Sequence, residues 1–144
     1  MTPSALTLER AFFSRVSLHA STDAAAKPAP TFETSVAAGF NPTNPLRFQI
    51  TITVRLVPET GVPCAYAGEV EVQGFFSVAE AVPAEHRERF ALVHGSTLLF
   101  GMVREMICTV TSRGPWPMFV LPTASFSDLQ ALTPPAKLIS TPKP

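Results

Sequence analysis

The sequence predicts an α+β fold, a four-stranded antiparallel sheet with helices packed on one face. Three observations carry this. Apolar and polar residues alternate with period two through the first half of the chain. A three- and four-residue apolar spacing takes over after Pro83. The connections between the alternating runs are too short for crossover helices, so the strands run antiparallel. Strands followed by helices is the α+β order.

The clearest element is the run 46–56. Leu46, Phe48, Ile50, Ile52, Val54 and Leu56 alternate with Arg47, Gln49, Thr51, Thr53 and Arg55, which gives one buried and one wet face. The run 66–78 repeats the pattern, with Val70, Val72, Phe76 and Val78 on one face and Glu69, Glu71, Gln73 and Ser77 on the other. Gly74 reads as a strand glycine at a bulge. Pro58-Glu59-Thr60-Gly61 between these runs has hairpin-loop composition. The run 6–18 also alternates, with Leu6, Leu8, Phe12, Val16 and Leu18 on one side. Arg10 and Ser14 interrupt that side, which predicts an edge or bulged strand. A short strand is expected over 31–36.

Helices follow. Pro83 can open the first, and Glu85 and Glu88 suit its first turn. Gly95 interrupts it, and Ser96 can cap a second helix that runs to about Ser112. Leu99, Met102, Val103, Met106 and Val110 form its apolar stripe. Gly114 reads as the residue just past its end. Ser125 can cap a last short helix with Phe126, Leu129 and Leu132, which Pro134-Pro135 ends. The organisation expected is one domain over 1–130 and a proline-rich, disordered tail over 131–144, with a further mobile loop around 22–30.

The chain has 144 residues, enough for one domain with its own core. Lys+Arg equals Asp+Glu, and lysine occurs only at Lys27, Lys137 and Lys143. That pattern argues against nucleic acid as a partner. The start MTPSALTLERAFF lacks the basic and apolar regions of a signal peptide, and no apolar run reads as a membrane span. Two cysteines, Cys64 and Cys108, make no disulfide framework. The reading is a soluble, cytoplasmic protein without membrane insertion.

Little in the chain resembles chemistry. There is no HExxH, CxxC or phosphate-cradling glycine loop, so no metal and no cofactor is expected. His86 lies in the charge run 85–89, which reads as a solvated helix face. His94 and Cys108 could be paired as base and nucleophile, but Cys108 falls on an apolar helix and reads as a buried structural thiol. Glu69 and Glu71, two apart on a strand, share its wet face. They do not confront each other across a cleft as a glycosidase pair does. What remains is the stretch after the long helix, where Pro115, Pro117 and Pro122 forbid both helix and central strand. Trp116, Met118, Phe119, Val120 and Leu121 therefore sit on irregular extended backbone, where they either plug a core or line a groove.

Phe76-Ser77-Val78, Leu98-Leu99-Phe100, Arg104-Glu105, Ile107, Ser112-Arg113-Gly114, Pro117, Leu121, Phe126 and Leu129 fall in the order and spacing of the SecB chaperone family, which the chain resembles. The resemblance is densest over 69–129 and reaches back to 6–10. It implies a dimer of dimers (a homotetramer) acting as an ATP-independent holdase for unfolded, usually exported, polypeptides, which it passes to the SecA motor. It also implies a client groove lined by Phe32 and Val36 of the second strand, Trp116, Met118, Phe119 and Leu121 of the crossover segment, and Phe126 and Leu129. In the family, acidic residues on the sheet dock the basic zinc-bearing tail of SecA. Glu69 matches one such position, beside Glu71. Arg15 and His19 stand at the other two, and Ala67 at a neighbouring apolar contact. A cation and a neutral histidine in place of two acids should repel a basic partner.

Three functions are compatible with these residues. The first is a holdase in protein export, not an enzyme. The second is a SecB-like chaperone dedicated to the antitoxin of a toxin–antitoxin pair. The third, of another class, is an enzyme or small-ligand binder on the same scaffold, for which only His86, His94 and Cys108 are available.

Overall fold

The computed structural model describes residues 1–23, 30–58 and 64–129. Four strands, β1 (Leu6–Ala20), β2 (Thr31–Asn41), β3 (Asn44–Val57) and β4 (Tyr66–Val78), are followed by one helix, α1 (Ala84–Thr111). The strands form a single sheet in the order β1-β4-β3-β2, antiparallel throughout. The expected α+β architecture is the one observed. The expectations for 131–144, for Leu132 and the Pro134-Pro135 stop, and for most of the loops near 22–30 and 58–61 fall outside the described residues.

The core lies between α1 and the two central strands. Ile50, Ile52 and Val54 of β3 and Val70, Val72 and Phe76 of β4 are fully buried, and so are Leu99, Val103 and Ile107 of α1. Each such side chain contributes about 1.5–3 kcal/mol relative to exposure. Ile107 takes the deep position in the stripe, while Met102, Met106 and Val110 are half-buried. By length and composition α1 could also cross a membrane. Its burial against the sheet accounts for the same apolar residues.

Between Pro83 and Ser112 two helices were expected, and one is found. Gly95 does not break the helix; it lies inside α1, where the helix comes closest to the sheet. A Cβ there would stand 2.5 Å from Ile50 Cδ1 and 3.2 Å from Phe76 Cε2. Gly74 plays the matching part on β4, since its Cβ would meet Phe76 Cε2 at 2.7 Å and Leu99 Cδ2 at 2.8 Å. It is paired in register on both sides, with Ala11 and Ile50, and is not at a bulge. Ser96 is fully buried mid-helix rather than capping, and its hydroxyl has no partner among the described residues. Pro83 occupies the N-cap position, with no side-chain cap. Arg87 satisfies the preceding loop instead, donating to the Val82 carbonyl at 2.8 Å and the Glu80 carbonyl at 3.1 Å. Residues 125–129 form a turn in place of the expected helix start, with the Leu129 N–H on the Phe126 carbonyl at 3.1 Å.

β1 is an edge strand with register shifts between Leu8 and Arg10 and between Phe13 and Arg15. These shifts overturn one assignment. Opposite Gly74 and Val72 stand Ala11 and Phe13, so these face the helix, whereas Phe12 opposes Gln73 on the far side. Phe12 there stacks on Phe75 and lies under the Arg10 guanidinium. β2 runs five residues beyond its expected end, to Asn41. Gly68 alone among the described residues has a positive φ, +138°, and its Cα faces the Ser17 carbonyl too closely for any side chain.

Candidate functional site

The segment after α1 doubles back along the helix, and its inward groups are individually anchored. The helix closes with Ser112 in right-handed conformation, and the Gly114 N–H reaches the Thr111 carbonyl at 3.1 Å. Gly114 is therefore not the left-handed terminator its position suggested. The Thr111 hydroxyl, fully buried, donates to the Ile107 carbonyl at 2.7 Å and accepts the Phe119 N–H at 3.0 Å. The Cys108 thiol points at the Phe119 carbonyl, 3.7 Å away; it is half-buried rather than sealed in the core. The Trp116 indole N–H donates to the Ser21 carbonyl at 2.9 Å, tying the segment to the end of β1. Leu121 is fully buried, and Phe126 packs edge-on against Phe100 with centroids 5.5 Å apart. Arg89 fixes the far end, donating to the Ser127 carbonyl at 2.9 Å.

Between these anchors the chain alternates. Phe119 and Leu121 point inward, while Met118 and Val120 are 53% and 43% exposed. Neither Met118 nor Val120 makes a main-chain hydrogen bond with another described residue. Of the residues expected in a groove, Phe32, Val36, Trp116, Phe119 and Leu129 are partly buried against the core, Leu121 and Phe126 belong to it, and Met118 is open. Val120, expected on the extended segment but not among the groove residues the resemblance implies, is open beside Met118.

The helix-free face of the sheet holds the second group. Register places Arg15 opposite Glu71, Ser17 opposite Glu69 and His19 opposite Ala67. Glu69 accepts from Arg15 Nη1 at 2.6 Å and from Arg55 Nε and Nη2 at 3.2 and 3.1 Å. The hydrogen bond from Arg15, then that from Arg55, holds its carboxyl below the usual carboxylate range. Glu71 accepts from the Ser14 hydroxyl at 2.6 Å and from Thr53 at 3.3 Å, and Glu9 pairs with Arg47 at 3.5 Å. His19 shares a 3.2 Å hydrogen bond with Ser17. On this face Glu69 and Glu9 are thus ion-paired, while Glu71 is held by hydroxyls. Arg55, which completes the pairing of Glu69, comes from β3, a strand without any expected part in docking.

The residues available for catalysis do not assemble. His94 packs against Phe90 with centroids 4.5 Å apart and the rings tilted by 56°, and 14 residues separate it from Cys108 on one helix, about 21 Å of axial rise. His86 is exposed and Cys64 is buried. Among the described residues no three His, Cys, Asp or Glu side chains come together as a metal site.

The profile of the family described as "Preprotein translocase subunit SecB" matches residues 2–133. The protein-export protein SecB of Acidithiobacillus ferrooxidans is 31% identical over 81 residues, 56% of this chain and 54% of that protein. SecB of a Bradyrhizobium species is 26% identical over 100 residues, 69% of this chain and 61% of its own length. The chain thus spans about half the length of the first of these relatives. Among solved structures, the SecB-like chaperone Rv1957 of Mycobacterium tuberculosis, in complex with a ChAD peptide from the antitoxin HigA1, superposes with a TM-score of 0.64. It is 16% identical, over 84% of this chain and 91% of that one, a likeness of fold. The match over nearly the whole chain, on the sheet and helix described above, places this protein in the SecB family.

Proposed function

We propose that the chain is an ATP-independent, cytoplasmic holdase, without an active site, that captures unfolded polypeptide on its crossover segment. The observation that carries this is the segment itself. Met118 and Val120 are exposed on extended backbone, and their own main-chain N–H and carbonyl groups lack partners among the described residues. An extended client can pair with such backbone whatever its sequence, and apolar side chains add affinity. Methionine adapts to varied clients, and prolines at 117 and 122 limit the entropy lost on binding. To the same client groove we assign Phe32, Val36, Trp116, Phe119 and Leu129, each half-buried against the core, and Leu121 and Phe126, which belong to it. The working assembly is a homotetramer, a dimer of dimers. The exposed Leu8 and Val16 on edge strand β1 and Leu98 on α1 support it, since assembly would cover them.

A second reading, a chaperone dedicated to an antitoxin, is favoured by the outer face. Arg15 and Arg55 occupy Glu69, so a basic SecA tail meets no free acidic cluster there. The related fold of Rv1957 carries an antitoxin peptide, which supports a comparable client here. A tagged pull-down from the host cytosol separates the two. Many unrelated unfolded precursors, with or without SecA, mean general export; one stoichiometric small partner means a dedicated client and withdraws the export role.

A further inference from the structure

We propose that Tyr66 is the positioning residue of the crossover segment: its hydroxyl, seated against Gly114, holds the Trp116 main chain so that the indole turns inward and Met118 and Val120 face a client. This rests on the holdase reading above and names a residue that governs it.

Tyr66 begins β4 and is 3% exposed. Its hydroxyl accepts the Trp116 N–H at 3.2 Å and stands 2.9 Å from the Trp116 carbonyl and 3.0 Å from the Thr111 carbonyl. Its one proton serves one of these carbonyls at a time. A single side-chain oxygen on a central strand thereby joins the end of α1 to the start of the crossover segment, 45 and 50 residues away. Gly114 is the independent sign that this contact is built. A Cβ at 114 would overlap the Tyr66 hydroxyl oxygen and lie 2.9 Å from Cε1. Gly114 does not have a positive φ, so backbone conformation does not demand glycine there; the phenol does.

The consequence follows along the chain. With Trp116 held at its main chain by Tyr66 and at its indole by Ser21, and Phe119 held by Thr111, the two residues between have little freedom. Pro117 fixes its own φ, so Met118 is turned outward before any client arrives. Without the hydroxyl, the segment must be ordered at the moment of binding.

Trp116 is the only tryptophan, so its fluorescence reports this site alone. Tyr66→Phe and Gly114→Ala are each compared with the wild type for far-UV dichroism, Trp116 emission with acrylamide quenching, and affinity for reduced, carboxymethylated α-lactalbumin as a permanently unfolded probe. The expected result for both variants is unchanged secondary structure, red-shifted and more quenchable emission, and a dissociation constant raised about 5-fold. A purely structural tyrosine would lower the melting temperature and leave affinity unchanged where both proteins are folded. Unaltered emission, or unaltered affinity in a folded variant, overturns the proposal. If Tyr66→Phe does not fold, Gly114→Ala carries the same two readouts. If the wild type itself does not bind the probe, it is the holdase reading that fails, and the emission of the variants still decides whether Tyr66 positions the segment.

Discussion

Replacing Gly95 with alanine tests the helix–sheet contact on which the fold turns. The added Cβ would lie 2.5 Å from Ile50 Cδ1 and 3.2 and 3.3 Å from Phe76 Cε2 and Cζ, and both partners are fully buried. Alanine inside a helix gains about 1 kcal/mol over glycine, while overpacking a close-packed core costs about 1–3 kcal/mol. The net expectation for Gly95→Ala is a loss of about 1 kcal/mol. Ile50→Val removes the δ-methyl that the new Cβ would strike and by itself costs about 1 kcal/mol. In the double variant the Cβ takes the vacated space and the helical gain survives. The pair should then be about as stable as the wild type, a favourable coupling of about 2 kcal/mol between residues in contact. Urea unfolding followed by far-UV dichroism at one fixed protein concentration measures all three. Additive losses, or a Gly95→Ala protein more stable than the wild type, would refute the argument that glycine is there for close approach.

Leu121→Ala should cost about 2–5 kcal/mol, because the side chain is fully buried beneath the crossover segment; a loss below that range in urea unfolding would mean that the segment is not packed onto the core. Glu69 titrates below its ordinary value near 4.5 because Arg15 and Arg55 bond its carboxylate. Its contribution is therefore complete above that ordinary value and is lost as pH falls through the depressed native one. Glu69→Gln should lose this part of the acid dependence, so the urea midpoints of variant and wild type converge toward low pH; parallel curves from neutral to strongly acid pH would sink the assignment.

The sheet was legible because period two is a local signal. Residues 46–56 and 66–78 alternate without help from their neighbours, and Arg10 and Ser14 marked the first strand as bulged or at an edge. The direction of the bulges was not legible, because an inserted residue shifts the register without changing composition, and so Phe12 was placed on the wrong face. Gly95 and Gly74 were misread for one shared reason. A glycine's local meaning is a break or a bulge, whereas here each admits a neighbour from the other layer, Ile50 in one case and Leu99 in the other. The candidate segment was visible through its prolines and aromatic residues. Its anchors were not, since Tyr66 and Ser21 reach it from far away in sequence. Likewise Glu69 reads as a free acid until the register sets Arg15 and Arg55 beside it.

The most direct test of capture by the crossover segment is light scattering of a chemically denatured model client diluted into buffer without nucleotide, with and without this protein. Stoichiometric protein should suppress aggregation, and Met118→Ser with Val120→Ser, which alters only exposed side chains, should abolish much of the effect while leaving the fold intact. Undiminished aggregation with the wild type, or full suppression by the double variant, would contradict it.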